Sequence, residues 1–119
     1  MDEALIILTR PPFGHVHAVE SIRMTSGLKT LDIDVKLVML GEAALTLLKN
    51  QDGSGIHMPP MDTALGVLAM SEAPIAVLQE DMEILGITRE HLIDYPYLEI
   101  IDRDEFEARI ASAKCAFRF

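Results

Sequence analysis

The sequence predicts an α/β fold in which three layers, α/β/α, surround a mostly parallel sheet of about five strands. Short continuous apolar runs alternate with segments of helical periodicity along the whole chain. Such runs are typical of parallel strands that are buried on both faces. Strands that alternate with helices are typical of βαβ units, for which right-handed crossovers are assumed. With 119 residues and no linker-like tract, one domain over residues 1–119 is expected.

The first strand and the helix after it are the clearest of these elements. Residues 4–8 are all apolar, and Pro11 and Pro12 then end the strand because neither has an N–H for the sheet ladder. Gly14 permits a sharp turn, and a helix is predicted from His15 or Val16 to Leu28. The predicted inward stripe of this helix is Val19, Ile22, Thr25 and Ser26.

The middle of the chain predicts a second strand over residues 33–40 and a helix over 43–49. Residues 50–55 form a polar, glycine-rich loop without the Gly-Lys-Ser/Thr ending of a phosphate-binding loop, so a surface loop is expected. A second amphipathic helix is indicated by apolar residues at i, i+3, i+4 and i+7, namely Met61, Ala64, Leu65 and Leu68.

The last third of the chain continues the alternation. A strand is predicted over residues 74–78, and a helix with acidic residues in its first turn follows and ends at Gly86. Thr88 can cap a further helical turn, residues 97–101 are typical of a strand, and residues 104–113 of a helix. The predicted inward side of that helix is Phe106, Ile110 and Ala113, and residues 114–119 form the final strand.

Composition excludes several classes of function. The net charge of −9 disfavours binding to nucleic acid or to an anionic membrane surface, because both need basic patches. No apolar run reaches transmembrane length, and an acidic start followed by a strand is not typical of a signal peptide. A single cysteine excludes an internal disulfide framework, so a cytoplasmic protein is expected. The hydrophobic content of 50% indicates that some apolar surface is buried between subunits.

Arg10, His15 and His17 stand where the first strand ends, which is where ligands gather in open α/β sheets. Arg10 could bind an anion with the N–H groups of the next helix, or form a surface or interface ion pair. The histidines could act in acid–base chemistry or bind an anion. A metal would need a third ligand such as His57, and the spacing matches no zinc site, so neither metal nor cofactor is expected.

Two further candidates have structural explanations. Glu80 and Asp81 are adjacent and diverge on a helix, so we expect them to complement the helix dipole rather than to act as an acid–base pair. Cys115 is the only thiol and lies on a predicted strand, where cysteines are often simply apolar residues. A reactive thiol would instead favour a loop, a helix N-terminus or a nearby cation.

Four segments in order carry a resemblance to a known family. They are residues 6–14, whose loop resembles a Pro-Tyr-Gly-type first loop, residues 38–43, residues 75–87, and the ending at 115–119 with its Arg-Phe pair. Their order and spacing resemble the DsrE/DsrF family of small sulfur-relay proteins, which includes the DsrEFH and TusBCD-like subunits. The ending is most similar to the DsrF/TusC branch.

The resemblance implies a function and a site. Active members carry a persulfide on a cysteine where the third strand meets its helix, and the matching position here is Leu78 or one of its neighbours, Val77 and Gln79. None of these side chains can carry sulfur, so the resemblance implies a structural or partner subunit of a sulfur-relay assembly. If the chain does carry sulfur, Cys115 is the only possible acceptor. The implied pocket consists of Arg10, Phe13, Gly14, His15, Gly41, Leu78 and Gln79.

The resemblance also implies trimers or hexamers, built from this chain or from related DsrE-like subunits, and contact with a sulfur-carrier protein. A second interpretation, of another class, is an oligomeric protein that binds a small molecule or an anion through Arg10 and His15 on the same fold. An enzyme that uses His15 as a base is a third interpretation. Bound ligand between subunits would favour the second, and stable association with a cysteine-bearing homologue would favour the first.

Overall fold

The computed structural model describes residues 3–56 and 61–119. Its strands are β1 (Ala4–Leu8), β2 (Val35–Met39), β3 (Ile75–Leu78), β4 (Leu98–Ile101) and β5 (Cys115–Arg118). They form one all-parallel sheet in the order β4-β3-β2-β1-β5. The α-helices are α1 (His17–Thr30), α2 (Met61–Met70), α3 (Gln79–Leu85) and α4 (Arg103–Ser112). Short 3₁₀ helices occur at Gly41–Leu47, Ser54–Ile56 and Arg89–His91.

The strand order explains how the helices are divided between the two faces of the sheet. From β1 to β4 each connection moves one strand in the same direction, so right-handed crossovers place their helices on one face. The connection from β4 returns across the sheet to β5, which sends α4 to the opposite face. Packing agrees, because Ile6 and Leu8 pack in one cluster with Ile22 of α1, whereas Ile7 packs in the other with Phe106 of α4.

The three inner strands, β1, β2 and β3, are buried along their full length, as parallel strands covered by helices must be. Lys36 of β2 is a buried residue that carries a charge. Its Nζ atom lies 2.9 Å from both carboxylate oxygens of Glu99. Arg109 of α4 joins this pair, with one guanidinium nitrogen 3.3 Å from Glu99 and another 3.5 Å from Glu3. The ion pairs therefore tie α4 to the amino-terminal half of the sheet.

The structure confirms the predicted α/β class and places a helical layer on each face of a five-stranded sheet. The helix predicted over residues 43–49 is wrong, because the segment is a 3₁₀ helix over Gly41–Leu47, a form used in short connections. β2 begins only at Val35, since Ile33 is exposed ahead of the sheet. The first helix runs on to Thr30, and Ser21 is buried on it, whereas Val19 and Ser26 are only half-buried.

Near the end of the chain, one residue predicted to face inward and the whole of the last strand are exposed. Ile110 on α4 is 41% exposed, and β5 is exposed at each of its residues. β5 is the outermost strand beside β1, and no helix of the described residues covers it. The β5 edge of the sheet is therefore more exposed than the β4 edge, where the strand is half-buried or buried.

Candidate functional site

The loops that follow β1, β2 and β3 lie together at the carboxyl edge of the sheet, because all strands are parallel. After β1, Pro12 is buried and Phe13 packs against the main core cluster, which anchors the loop. Gly14 has a φ of +84°, a left-handed conformation that glycine adopts without strain, and the chain then enters α1. The predicted strand, tight loop and helix are thus confirmed.

An open cleft of about 540 Å³ lies at this edge between the end of β5 and the start of α1. We name it the β1–β5 cleft; its lining residues are Arg10, Val16, His17, Glu20, Arg118 and Phe119. Hydrogen bonds hold its two sides together: Phe119 donates its backbone N–H to the carbonyl of Ile7 at 2.7 Å, and the Thr9 hydroxyl donates to the Phe119 carbonyl at 2.8 Å. The end of β5 is therefore closely tied to the loop after β1.

The charged groups of the cleft are mostly unpaired. Arg10 and Arg118 are exposed and make no ion pair with any residue that the structure describes. Glu20 is the one carboxylate among the lining side chains, and it lies 3.6 Å from a guanidinium nitrogen of Arg23. The cleft thus offers two arginines against one carboxylate that has its own cation.

His17 is the first residue of α1 and half-buried in the wall of the cleft. Its Nδ1 atom is screened from solvent and has no hydrogen-bond partner within the described residues. The His15 ring meets it edge to face with 5.8 Å between ring centroids. His15 supports the orientation of His17 but is not one of the residues that line the cleft.

A second group of contacts joins the loops after β2, β3 and β4. Asp81, in the first turn of α3, accepts a hydrogen bond from the backbone N–H of Gly41 at 2.8 Å. The neighbouring Glu80 accepts one from the backbone N–H of Arg103 at 3.0 Å. As expected, the two carboxylates diverge; beyond complementing the helix dipole they hold adjacent loops in place.

The β3–α3 junction presents two very different side chains. Leu78 is the last residue of β3 and is 1% exposed, packed on the face that α4 covers. Gln79 begins α3 and is exposed, with its amide nitrogen 3.4 Å from a carboxylate oxygen of Glu83. A side chain at position 79 can therefore meet a partner molecule, whereas one at position 78 is enclosed.

The residues proposed from sequence fall into two parts of this edge. Arg10 lines the β1–β5 cleft, with Phe13, Gly14 and His15 in the loop beside it, whereas Gly41, Leu78 and Gln79 belong to the loops after β2 and β3. Arg118 and Phe119 were missed as site residues. The signal that would have found them is topological, because only the pairing of β5 with β1 brings them to Arg10.

Cys115 lies far from these groups along its strand. It pairs in register with Ala4 at the amino end of the sheet, and it is exposed. Arg118 lies three positions further along the strand, which corresponds to roughly 10 Å. Within residues 3–56 and 61–119 there is no cluster of three or more His, Cys, Asp or Glu side chains suited to a metal, and His57, the suggested third ligand, lies outside those ranges. None of the helices described there has the length and apolarity needed to cross a membrane.

The chain is a parallel α/β sandwich whose polar groups collect at the carboxyl ends of its strands, the edge at which open α/β sheets bind ligands. The family model described as the DsrE/DsrF-like family matches residues 2–119, and the chain belongs to this family. The resemblance noted in its sequence motifs is thereby confirmed at the level of the family. Among curated protein sequences, none matches the chain.

Two solved structures show the same fold. One is the ychN protein from E. coli, with a TM-score of 0.84, 21% sequence identity and full coverage of both chains. The other is MTH1491 from Methanobacterium thermoautotrophicum, described as a protein of unknown function, with a TM-score of 0.66, 10% identity and full coverage of both chains. At these identities the likeness concerns the fold alone.

Proposed function

We propose that this chain is a structural or partner subunit of a cytoplasmic sulfur-relay assembly and does not itself carry the persulfide. Membership of the DsrE/DsrF-like family supports the sulfur-relay part of the proposal. The observation that carries the rest is the β3–α3 junction, where Leu78 and Gln79 stand in place of a thiol. The structure in this region is intact, with α3 in place and its first turn bonded to the neighbouring loops.

Cys115 is poorly placed to replace the missing thiol. It lies at the amino end of β5, whereas the junction between β3 and α3 lies at the carboxyl end of the sheet and three strands away. Reactive thiols favour a helix N-terminus or a nearby cation, and Cys115 begins a strand. We therefore infer that it is not a sulfur carrier.

The uncovered strand β5 supports assembly with other subunits. Parallel strands in α/β domains are normally covered on both faces, and the exposed β5 includes Phe117, which is 45% exposed. The outer edge of β5 also leaves backbone groups without a neighbouring strand in the described residues, which proteins usually cover. We propose that a second copy of this chain or a related subunit covers this strand in a trimer or hexamer.

Transfer of sulfur is tested by intact mass after incubation with a persulfide-loaded, cysteine-bearing DsrE-like protein. We expect that neither the wild type nor Cys115→Ser gains the mass of one sulfur atom, about 32 Da. A persulfide carried by the wild type and absent from Cys115→Ser would overturn the proposal and make Cys115 the carrier. Co-elution of the two proteins in size-exclusion chromatography is the expected positive result.

Assembly through β5 is tested by light scattering on Phe117→Ser. This substitution removes an exposed apolar side chain from β5, so we expect the oligomer to dissociate toward the monomer. Ile84→Ser is the matched control, because Ile84 is also exposed and apolar but lies on α3. Dissociation of the control in place of Phe117→Ser would contradict a contact through β5.

A further inference from the structure

We propose that the β1–β5 cleft binds a small organic anion, with a phosphate-type group held by Arg10 and Arg118 and an apolar body beside it. This proposal does not depend on sulfur transfer, and the cleft lies beside the proposed subunit contact because Arg118 is the last residue of β5. Arginine suits such a group because its planar guanidinium can donate two parallel hydrogen bonds to oxyanions. Both arginines line the cleft and are exposed.

The charged side chains that line the cleft are mostly basic, whereas the protein as a whole is acidic. The chain has 19 acidic and 10 basic residues, yet the cleft has two arginines and a single glutamate. That glutamate, Glu20, lies beside Arg23 at 3.6 Å, so its charge is partly offset. In an acidic protein, two arginines that share a cleft without ion pairs to described residues favour an anion supplied from outside.

The start of α1 adds donors to the same wall. α1 has 14 residues and carries Glu20 in its first turn, but no side chain caps that turn by a hydrogen bond, so its first N–H groups are available to an anion. The Nδ1 atom of His17 is screened from solvent without a partner in the described residues, which is a costly arrangement unless a ligand or water supplies one. These groups belong to a different element from the arginines and point to the same kind of ligand.

The dimensions of the cleft argue for more than an inorganic ion. About 540 Å³ lies within the range of small-molecule pockets, which is roughly 300–1,000 Å³. Val16 and Phe119 supply apolar surface next to the charged groups, and Val16 is 67% exposed. An anionic group on an apolar body would therefore use both parts of the wall.

The position of the cleft fits a general rule for open α/β sheets. Ligands bind at the carboxyl ends of strands where the strand order changes direction. Here β2, β3 and β4 are added on one side of β1, and β5 is added on the other. The cleft lies at the carboxyl ends of β1 and β5, which is where the change occurs.

The test is a calorimetric titration of the full chain with phenyl phosphate, with inorganic phosphate and benzyl alcohol as comparison probes. We expect phenyl phosphate to bind roughly tenfold more tightly than inorganic phosphate, and benzyl alcohol not to bind measurably. The double variant Arg10→Gln/Arg118→Gln should weaken phenyl phosphate binding by at least about tenfold. Glu20→Gln should strengthen it by about two- to fivefold because it removes the one carboxylate side chain that lines the cleft.

A matched control changes the net charge by the same amount as the arginine double variant but leaves the residues of the cleft unchanged. Lys29→Gln/Lys114→Gln also removes two cations, one at the far end of α1 and one before β5. We expect this control to bind phenyl phosphate like the wild type. The proposal would be overturned if the arginine double variant bound phenyl phosphate like the wild type, or if both double variants weakened binding equally. Far-ultraviolet circular dichroism checks that each variant is folded.

Discussion

The carboxylate of Asp81 accepts a hydrogen bond from the backbone N–H of Gly41 at 2.8 Å, which joins the start of α3 to the turn after β2. Gly41 has a φ of +58°, so the turn uses a conformation that favours glycine. Glu80, the preceding residue, accepts a hydrogen bond from the backbone N–H of Arg103, the first residue of α4. Adjacent carboxylates thus brace the loops on both sides of β3.

Loss of this contact should lower stability. Asp81→Ala removes a charged acceptor from a backbone N–H, so we expect the free energy of unfolding to fall by about 1–2 kcal/mol. Urea denaturation measures it. Glu83→Ala is the matched control, because it removes one negative charge from the same helix and its only recorded side-chain contact among the described residues is at 3.4 Å with Gln79. Equal losses in the two variants would show that the Gly41 contact adds nothing.

The pair formed by Lys36 and Glu99 is asymmetric. The side chain of Lys36 is 4% exposed, whereas that of Glu99 is 41% exposed and also lies 3.3 Å from Arg109. Removing the carboxylate would leave a buried ammonium without its partner. Removing the lysine would leave a carboxylate that keeps both water and an arginine.

We therefore expect Glu99→Gln to destabilise the fold by about 2–3 kcal/mol and Lys36→Met by no more than about 1 kcal/mol. The double variant Lys36→Met/Glu99→Gln should be more stable than Glu99→Gln alone, since it no longer buries an unpaired charge. Urea denaturation of the four proteins completes the double-mutant cycle. If Lys36→Met were the more damaging single substitution, burial of the ammonium would not be the dominant cost.

Tyr95 should make stability fall at alkaline pH. Its hydroxyl is buried and donates to the carbonyl of Ala73 at 2.6 Å, and burial followed by the nearby Tyr97 raises its pKa above the ordinary value of 10.0. Because the folded state holds this proton more tightly than the unfolded state, the stabilisation is complete below about pH 10 and is lost as the pH rises further.

The corresponding measurement is urea denaturation of wild type and Tyr95→Phe between about pH 8 and pH 11. At the lower pH the variant should lose about 1–2 kcal/mol, because the Ala73 carbonyl loses its buried donor. Above pH 10 the free energies of unfolding of the two proteins should converge. The wild type then loses the stabilisation by the Tyr95 proton, which the variant lacks at every pH. A constant difference across the range would contradict the assigned role of the Tyr95 proton.

The elements that sequence predicted well are those determined by local chemistry. The apolar run of β1, the stop of α3 at Gly86 with its φ of +70°, and the capped turn after Thr88 all depend on residues close in the chain. Lys36 meets Glu99 across 63 positions, and Arg118 reaches the cleft only through the pairing of β5 with β1. Such contacts depend on strand order, which no local pattern encodes.

The β3–α3 junction yields the sharpest prediction about the site. The family resemblance points to position 78, whereas the structure encloses Leu78 and exposes Gln79. Introduced thiols should report this difference, so Gln79→Cys should react with a disulfide reagent at least about tenfold faster than Leu78→Cys. Both substitutions are made in Cys115→Ser, which removes the native exposed thiol. Faster reaction of Leu78→Cys would show that the junction opens in solution and that position 78 can meet a partner.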